Sequence, residues 1–288
     1  MPELPEVETV VRGLQAFLHG RTITGLRLGK TDFIDDPSRL EELLPGSRVS
    51  AVRRHGKFIV LQIEQPTPAQ APPNSPHSLL HFIVHLGMTG QLVVIPGSMP
   101  CAPHTHVWIS LDNGKELRFI DPRRFGRMLI LPEGQSESVL GPLGLDPLEI
   151  SADKFRKQLT AKRARIKAVL LDQRMFRGMG NIYTDESLWR ARIHPARLAS
   201  SLRREEVVRL HRVMQRVLLE AIRLGGSSIS DYVNAEGRPG EFQIRHRVYQ
   251  REGKKCSRCG AVIRRIIVAG RSSYFCPRCQ RAPHQRQK

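Results

Sequence analysis

The chain has 288 residues, 40% of them hydrophobic, which is enough for two domains with buried cores. Its formal net charge of +19 is uneven: residues 1–150 carry 14 Lys and Arg against 16 Asp and Glu, whereas residues 151–288 carry 32 against 11. This asymmetry predicts a polyanionic partner, and nucleic acid rather than a membrane, because no apolar run reaches membrane-spanning length. Glu3, Glu6 and Glu8 stand where a secretory signal would be basic, so we expect a cytoplasmic protein.

The first six residues, MPELPE, contain an unusual combination of groups. Removal of Met1 would expose the secondary amine of Pro2, which can attack an aldehyde-like carbon and form an iminium ion. Glu3 and Glu6 place two carboxyl groups near that amine, and such groups transfer protons. The alternative is an ordinary chain terminus in which Pro5 starts a helix.

The first half of the chain predicts one helix followed by strands. Apolar residues recur at helical spacing over residues 5–19, and Gly20 is a stop signal. Eight short strand-like runs without intervening helices predict a β-sandwich or barrel, and the DNG sequence at 112–114 predicts a hairpin turn. The Pro-rich residues 65–78 predict an extended surface loop. The predicted strands are Ile23–Leu28, Val49–Arg54, Phe58–Glu64, Leu79–Leu86, Gln91–Ile95, Val107–Leu111, Glu116–Ile120 and Arg127–Leu131.

After residue 150 the hydrophobic pattern becomes helical, so the fold class is α+β. Polar and glycine-containing residues 227–250 predict a loop. The predicted helices are Lys154–Thr160, Ile166–Leu171, Asn181–Ala191 and Glu205–Leu224.

Four of the five cysteines lie in the last 33 residues, as two CxxC pairs sixteen residues apart. This spacing is typical of a zinc ribbon, in which each pair supplies two ligands from a tight turn and residues 263–275 form a hairpin. Four thiolates leave no open position, so the predicted zinc is structural. The ligands are Cys256, Cys259, Cys276 and Cys279.

Five motifs in chain order resemble those of the bacterial formamidopyrimidine-DNA glycosylases. They are PELPEVET at 2–9, HLGMTG at 85–90, DPRRFG at 121–126, GNIY at 180–183 and the four-cysteine ribbon. The resemblance runs end to end, although the 65–78 loop is longer than is usual in the family. It implies a bifunctional base-excision-repair enzyme that removes oxidised purines from double-stranded DNA and then cleaves the strand.

The resemblance also implies the catalytic roles. Pro2 attacks C1′ of a flipped nucleotide, and Glu3 assists sugar-ring opening as an acid. Lys57 matches the position linked to proton donation in β-elimination, and Arg271 the one linked to δ-elimination. Glu6 matches a second required carboxylate, a hydrogen-bonding support for the site.

Six further residues match DNA-contacting positions of the family. Met88, Arg123 and Phe125 match residues that fill the gap left by the flipped base, but Met88 and Phe125 are also compatible with ordinary core positions, and Arg123 with pairing to Asp121. The remaining three are His104, Lys162 and Asn181.

Lys162 begins a basic run with Arg163, Arg165 and Lys167, which reads either as a solvated face or as phosphate contacts, the interpretation we favour. The glycines before Asn181 allow close approach of a phosphate, and they also suit a break between two helices.

By this resemblance we expect a catalytic β-sandwich with flanking helices at 1–131, a linker at 132–150 and a helix–two-turn–helix domain at 151–226. A lesion-recognition loop at 227–250 and a zinc-ribbon finger at 251–288 follow. We expect a nucleoid-associated bacterial monomer with DNA in the cleft between the two domains. Two alternatives remain: an endonuclease VIII-type glycosylase for oxidised pyrimidines, and a non-enzymatic zinc-ribbon DNA-binding protein.

Overall fold

The computed structural model describes residues 1–66, 79–135, 140–229 and 231–282. Most of the Pro-rich 65–78 loop therefore lies outside the described residues. The chain forms two compact units, one of residues 1–142 with 224–241 and the other of residues 143–223 with 242–288. The structure thus divides the predicted 227–250 loop between the two units.

The first unit is a sandwich of two antiparallel four-stranded sheets. In spatial order, one sheet contains Ile23–Leu28, Thr105–Leu111, Lys115–Ile120 and Gln91–Pro96, and the other contains Arg48–His55, Phe58–Glu64, Leu79–His85 and Arg127–Pro132. The register pairs Val52 with Leu61 in one sheet and Ile109 with Leu117 in the other, so alternate apolar residues face a common core. Its elements are α1 (Leu4–Leu18), β1 (Ile23–Leu28), α2 (Pro37–Leu43), β2 (Arg48–His55), β3 (Phe58–Glu64), β4 (Leu79–His85), β5 (Gln91–Pro96), β6 (Thr105–Leu111), β7 (Lys115–Ile120) and β8 (Arg127–Pro132).

Helix α1 buries one apolar face in that core, including Val7, Val10 and Leu14. It begins directly after Glu3 and ends before Gly20, which has a positive φ of 76°. Residues 224–241 pack on the same helix, since Ala235 is buried in the core and a Cβ at Gly13 would lie 2.7 Å from the Ala235 Cβ. The start of the chain is therefore attached to a rigid element.

The second unit contains helices and a short hairpin. Nearly every residue of the third helix, which starts at Asn181, is buried, and Trp189 joins the small core of the ribbon with Ile263. The hairpin turn at Ala269 and Gly270 has positive φ at both residues, as a type I′ turn between antiparallel strands requires. The elements are α3 (Ala152–Thr160), α4 (Ile166–Leu171), α5 (Asn181–Ala191), α6 (Arg204–Arg223), β9 (Arg264–Val268) and β10 (Arg271–Phe275).

The α+β class, the sandwich and the ribbon hairpin are confirmed, with element ends shifted by one or two residues. Helix α2, which follows the cap Asp36, was missed because its seven residues are too few for a periodic signal. No helix of the described residues is long and apolar enough to cross a bilayer.

Candidate active site and metal centre

The predicted nucleophile and both carboxylates lie together at the start of α1. Pro2, Glu3 and Glu6 are all buried, and the Glu3 and Glu6 side chains are 4% and 1% exposed. The Glu3 backbone N–H donates to Glu6 Oε2 over 2.8 Å, within a capping box that satisfies the first turn of the helix. The helix start therefore fixes the backbone on which Pro2 stands.

The other carboxylate oxygen of Glu6 binds a segment that is distant in the sequence. Glu6 Oε1 accepts the Ser227 backbone N–H over 2.8 Å, and the Tyr232 hydroxyl donates to the Glu6 carbonyl over 3.2 Å. A Cβ at Gly226 would lie 3.0 Å from Glu6 Oε1, so this approach needs glycine. Burial and the Glu6 carboxylate raise the pKa of Tyr232, which remains a hydroxyl donor.

Lys57 occupies the turn between β2 and β3, after Gly56, whose φ is 61°. Burial lowers the pKa of His85 to about 4, and the charges of Lys57, Arg127 and the N-terminal ammonium add to this effect. His85 Nδ1 accepts the Gly87 N–H over 3.2 Å. A neutral imidazole thus stands close to the Lys57 ammonium and to the N-terminus. Sequence reasoning assigned His85 no role, although it begins the HLGMTG motif.

Met88, Arg123 and Phe125 project from two loops of the first unit. Met88 is 42% exposed and Phe125 is 54% exposed, so the core alternative is wrong for both. The Arg123 guanidinium carbon lies 4.5 Å from the centre of the Phe125 ring, which is cation–π geometry. A flexible thioether, a planar cation and an aromatic ring are therefore accessible on one unit.

The fully buried Asp121 connects these two loops. Its carboxylate accepts the Thr89 hydroxyl over 2.5 Å and the backbone N–H groups of Arg123 and Gly126 over 3.2 and 2.9 Å. Arg123 therefore contacts Asp121 through its backbone, and its guanidinium stacks on Phe125 instead of pairing with that carboxylate. At the crossing of the loops, a Cβ on Gly87 would lie 2.3 Å from the Phe125 carbonyl oxygen.

His104 is exposed and has φ of 63°, in the left-handed region. Its carbonyl accepts the Asp121 N–H over 3.0 Å, so this loop is attached to the same aspartate.

In the second unit the structure brings Asn181 and the Arg271 strand together. Asn181 is the first residue of α5, and its Nδ2 donates to the Ser272 carbonyl over 3.0 Å. Arg271 is the first residue of β10, directly after the hairpin turn, and is exposed. Lys162 is exposed immediately after α3. These three residues belong to the second unit, whereas the Pro2 group belongs to the first.

The interpretation of Lys167 as a phosphate contact or as part of a solvated face is wrong. Its side chain is fully buried, and Nζ donates to Asp185 Oδ1 and to the Ser272 carbonyl, each over 2.7 Å. Asp185 Oδ2 also accepts the Tyr274 N–H over 2.9 Å. Burial raises the pKa of Asp185, and the Lys167 ammonium opposes that rise. The pair anchors β10, because isolated charges this deeply buried would be costly.

Glu186 is another buried acid that sequence reasoning missed. Its Oε1 accepts three successive backbone N–H groups, those of Arg247, Val248 and Tyr249, over 2.8 to 3.0 Å. Burial raises its pKa, and these N–H groups oppose that rise. Its neighbours Thr184, Asp185 and Ser187 are polar as well, so nothing in the local sequence indicated its burial.

The four sulfurs of Cys256, Cys259, Cys276 and Cys279 lie within 4.8 Å of one another. The Sγ atoms of Cys259 and Cys276 are 3.4 Å apart, and those of Cys256 and Cys279 are 4.0 Å apart. Tetrahedral zinc with sulfur ligands at about 2.3 Å requires sulfurs about 3.8 Å apart, so the cysteines fit one closed structural zinc site.

Two compact units, an N-terminal sandwich with a buried Pro-Glu start and a helical unit with a four-cysteine ribbon, define the class of protein. Family models match in the same order. Residues 1–128 match the formamidopyrimidine-DNA glycosylase N-terminal domain, residues 143–233 its H2TH domain, and residues 253–282 a zinc finger found in FPG and IleRS. A curated formamidopyrimidine-DNA glycosylase of Solibacter usitatus strain Ellin6076 is 45% identical, over 98% of this chain and 100% of the relative.

Solved structures agree with the sequence relatives. Lactococcus lactis Fpg bound to DNA with an abasic site superposes with a TM-score of 0.86 and 33% identity, covering 97% of this chain and 100% of that one. The wild-type L. lactis protein bound to DNA with an N7-benzyl-Fapy-dG gives a TM-score of 0.85, 33% identity and coverage of 98% and 100%. The chain belongs to the formamidopyrimidine-DNA glycosylase family.

Proposed function

We propose that the protein excises oxidised purines, namely 8-oxoguanine and formamidopyrimidines, from duplex DNA and then cleaves the strand at the resulting site. The observation that carries the proposal is the start of α1, where Pro2 lies beside two buried carboxylates and Glu6 fixes the backbone of Glu3. Family membership supports DNA as the substrate and glycosidic cleavage as the reaction.

The first step forms a covalent bond to the sugar. After loss of Met1, the secondary amine of Pro2 attacks C1′ of an extruded nucleotide, since C1′ is not accessible inside a duplex. The C1′–N bond to the base breaks and the base leaves with the proton that the amine loses. Glu3 donates a proton to O4′ as the ring opens, and an iminium ion remains.

The second step cleaves the strand. The iminium withdraws electrons and acidifies C2′, so loss of a C2′ proton expels the 3′ phosphate by β-elimination, with Lys57 donating the compensating proton. Arg271 assists the following δ-elimination, which expels the 5′ phosphate. Both residues carry the positive charge that a phosphate leaving group needs.

The DNA contacts separate into two kinds. Met88, Arg123 and Phe125 fill the gap left by the extruded nucleotide, and their exposure supports this role. His104, Lys162 and Asn181 contact phosphates, and Asn181 stands at the start of α5, where the positive end of the helix dipole favours an anion. We further propose that the enzyme acts as a monomer in the bacterial nucleoid.

The experiment compares excision and cleavage on an 8-oxoguanine:cytosine duplex and on a matched duplex with an oxidised pyrimidine. The expected result is faster release of the purine lesion, with products carrying phosphate at both ends of the gap. Arg271→Ala should stop mainly after β-elimination, whereas Arg264→Ala, an equally exposed arginine of the neighbouring strand, should not. Preference for the pyrimidine would favour the endonuclease VIII alternative, and tight binding without any product would favour the binding-protein alternative.

A further inference from the structure

A cavity of about 510 Å³ opens beside the cysteine turns of the zinc ribbon, within the second unit. Five arginines line it, and we call it the arginine pocket. They are Arg192, Arg197, Arg258, Arg278 and Arg281.

The arginine pocket contains fewer negative charges than positive charges. Glu206 is already bound, because its carboxylate accepts two hydrogen bonds from Arg197 over 2.5 and 2.9 Å and the Arg203 backbone N–H over 2.9 Å. Zinc with four thiolates carries two negative charges. With Arg197 paired to Glu206, the other four arginines exceed these charges by two, so the pocket attracts an anion.

Part of the arginine pocket is held in a fixed geometry. The Arg258 guanidinium carbon lies 4.2 Å from the centre of the Trp189 ring, and Nη1 donates to the Trp189 carbonyl over 3.2 Å. Arg192 follows the last turn of α5 in the left-handed conformation, with φ of 59°. Among the described residues, no carboxylate lies within 4.0 Å of the guanidinium nitrogens of Arg192, Arg278 or Arg281. These three groups are available to a ligand.

The arginine pocket is distinct from the Arg271 end of the ribbon. Arg271 begins β10, and Cys276 follows its last residue, so five residues of extended chain separate them. At about 3.3 Å per residue, this places Arg271 roughly 16 Å from the cysteine turns. An anion held in the pocket is therefore an additional contact, outside the group formed by Asn181 and Arg271.

We propose that the arginine pocket is an accessory site for phosphates of a nucleic-acid backbone, used on undamaged DNA and not in catalysis. Guanidinium groups match phosphate oxygens in bidentate geometry, and residues 151–288 carry the large excess of positive charge that backbone binding requires. The inference rests on the proposed function only for the identity of DNA as the polyanion.

The test uses the full-length, zinc-loaded protein and an undamaged duplex. Arg192→Gln, Arg278→Gln and Arg281→Gln are combined and compared with the triple control Arg212→Gln, Arg216→Gln and Arg223→Gln, exposed arginines of α6. For the pocket variant, the slope of log affinity against log salt should fall by about 2 and affinity at 0.1 M salt by at least about tenfold. Zinc content and the unfolding transition should match the parent.

A second readout reports on the pocket itself. The chain has two tryptophans, so Trp108→Phe leaves Trp189 as the only one. Duplex should change Trp189 emission in this background, and the pocket substitutions should abolish that change. An unchanged salt slope in the pocket variant, or a response to poly-glutamate but not to duplex, would overturn the assignment.

Excision of 8-oxoguanine at saturating enzyme separates this inference from the proposed function. The pocket variant should retain the parental single-turnover rate. If the parent protein excises no 8-oxoguanine but the pocket substitutions still lower the salt slope, the proposed function is wrong and the pocket assignment is supported. If the parent excises normally and the slope does not change, only the pocket assignment fails.

Discussion

Glu6 illustrates how one carboxylate organises the start of the chain. Its two oxygens accept the N–H groups of Glu3 and Ser227, each over 2.8 Å, with almost no exposure to water. Glu6 and Ser227, which this contact joins, are 221 positions apart in the sequence. The backbone next to Pro2, the proposed nucleophile, and that of Ser227 are coupled through this side chain.

Replacing Glu6 with Gln should therefore affect both stability and activity. The amide turns an N–H donor toward one of two backbone N–H groups, leaving that group without an acceptor. We expect the free energy of unfolding to fall by about 1–3 kcal/mol and excision by at least about tenfold. Urea unfolding and single-turnover excision measure these effects. Glu41→Gln, on an exposed position, is the control, and equal effects of both substitutions would contradict the role of Glu6.

The lowered pKa of His85 predicts that the stability of the fold depends on pH. The folded chain keeps this imidazole neutral down to about pH 4, whereas the unfolded chain takes up a proton near pH 6.5. Its contribution to stability is therefore complete above pH 6.5 and is lost as the pH falls towards 4. Allowing for its partial exposure, the loss should be about 2 kcal/mol between pH 7 and 4.

Chemical unfolding at pH 7 and at pH 4.5 compares the parent with His85→Gln. The variant should lose less stability on acidification, because it has no imidazole to protonate. Equal losses in both proteins would show that His85 is not the group responsible.

The two loops that present Met88 and the Arg123–Phe125 group are held by contacts that tolerate little change. Asp121 binds both loops, and Gly87 lies where their backbones meet. The side chains that we propose to enter DNA would gain from such rigid support, since ordering them on binding costs less.

Gly87 and Gly114 provide a matched pair for testing this support. Both have positive φ, 62° and 74°, so alanine strains the backbone by about 1–2 kcal/mol at either site. Only at Gly87 does the new Cβ meet backbone atoms, whereas at Gly114 nothing lies within 4 Å. Gly87→Ala should lower the unfolding temperature more and reduce excision at least about tenfold, while Gly114→Ala should preserve excision. Similar activity of the two variants would contradict the role assigned to these loops.

The elements themselves were largely predictable, because strand alternation and helical spacing depend on local sequence. The helix at Asn181–Ala191 was predicted with the correct bounds, and the four cysteines predicted as zinc ligands do lie together.

The environments of single side chains were not predictable. Lys167 is buried because Asp185 and Ser272 receive its ammonium, and nothing in a basic run reveals that. Met88 and Phe125 are apolar residues of the kind that usually lies in a core, and only the geometry of their loops exposes them.

In the molecule as a whole, the zinc ribbon is the part whose folding depends on a metal. Its hairpin has five-residue strands and a small core, which is too little apolar surface to fold without zinc. Arg271 and the arginine pocket both depend on this fold.

Cys276→Ser should reduce bound zinc from one ion per chain to nearly none and weaken duplex binding by at least about tenfold. Elemental analysis and a binding titration measure the two effects. Cys101→Ser, which lies outside the ribbon, should retain zinc and binding. Stoichiometric zinc in the Cys276 variant would contradict the four-thiolate site.

In the proposed mechanism, the Pro2 nitrogen forms the covalent bond to DNA. Borohydride reduces an iminium to a stable amine, so the enzyme is incubated with an 8-oxoguanine:cytosine duplex and borohydride, and the cross-linked peptide is identified by mass spectrometry. We expect an adduct on the nitrogen of Pro2 in a chain that has lost Met1. An adduct on a lysine, or no adduct from a protein that binds the duplex tightly, would contradict it.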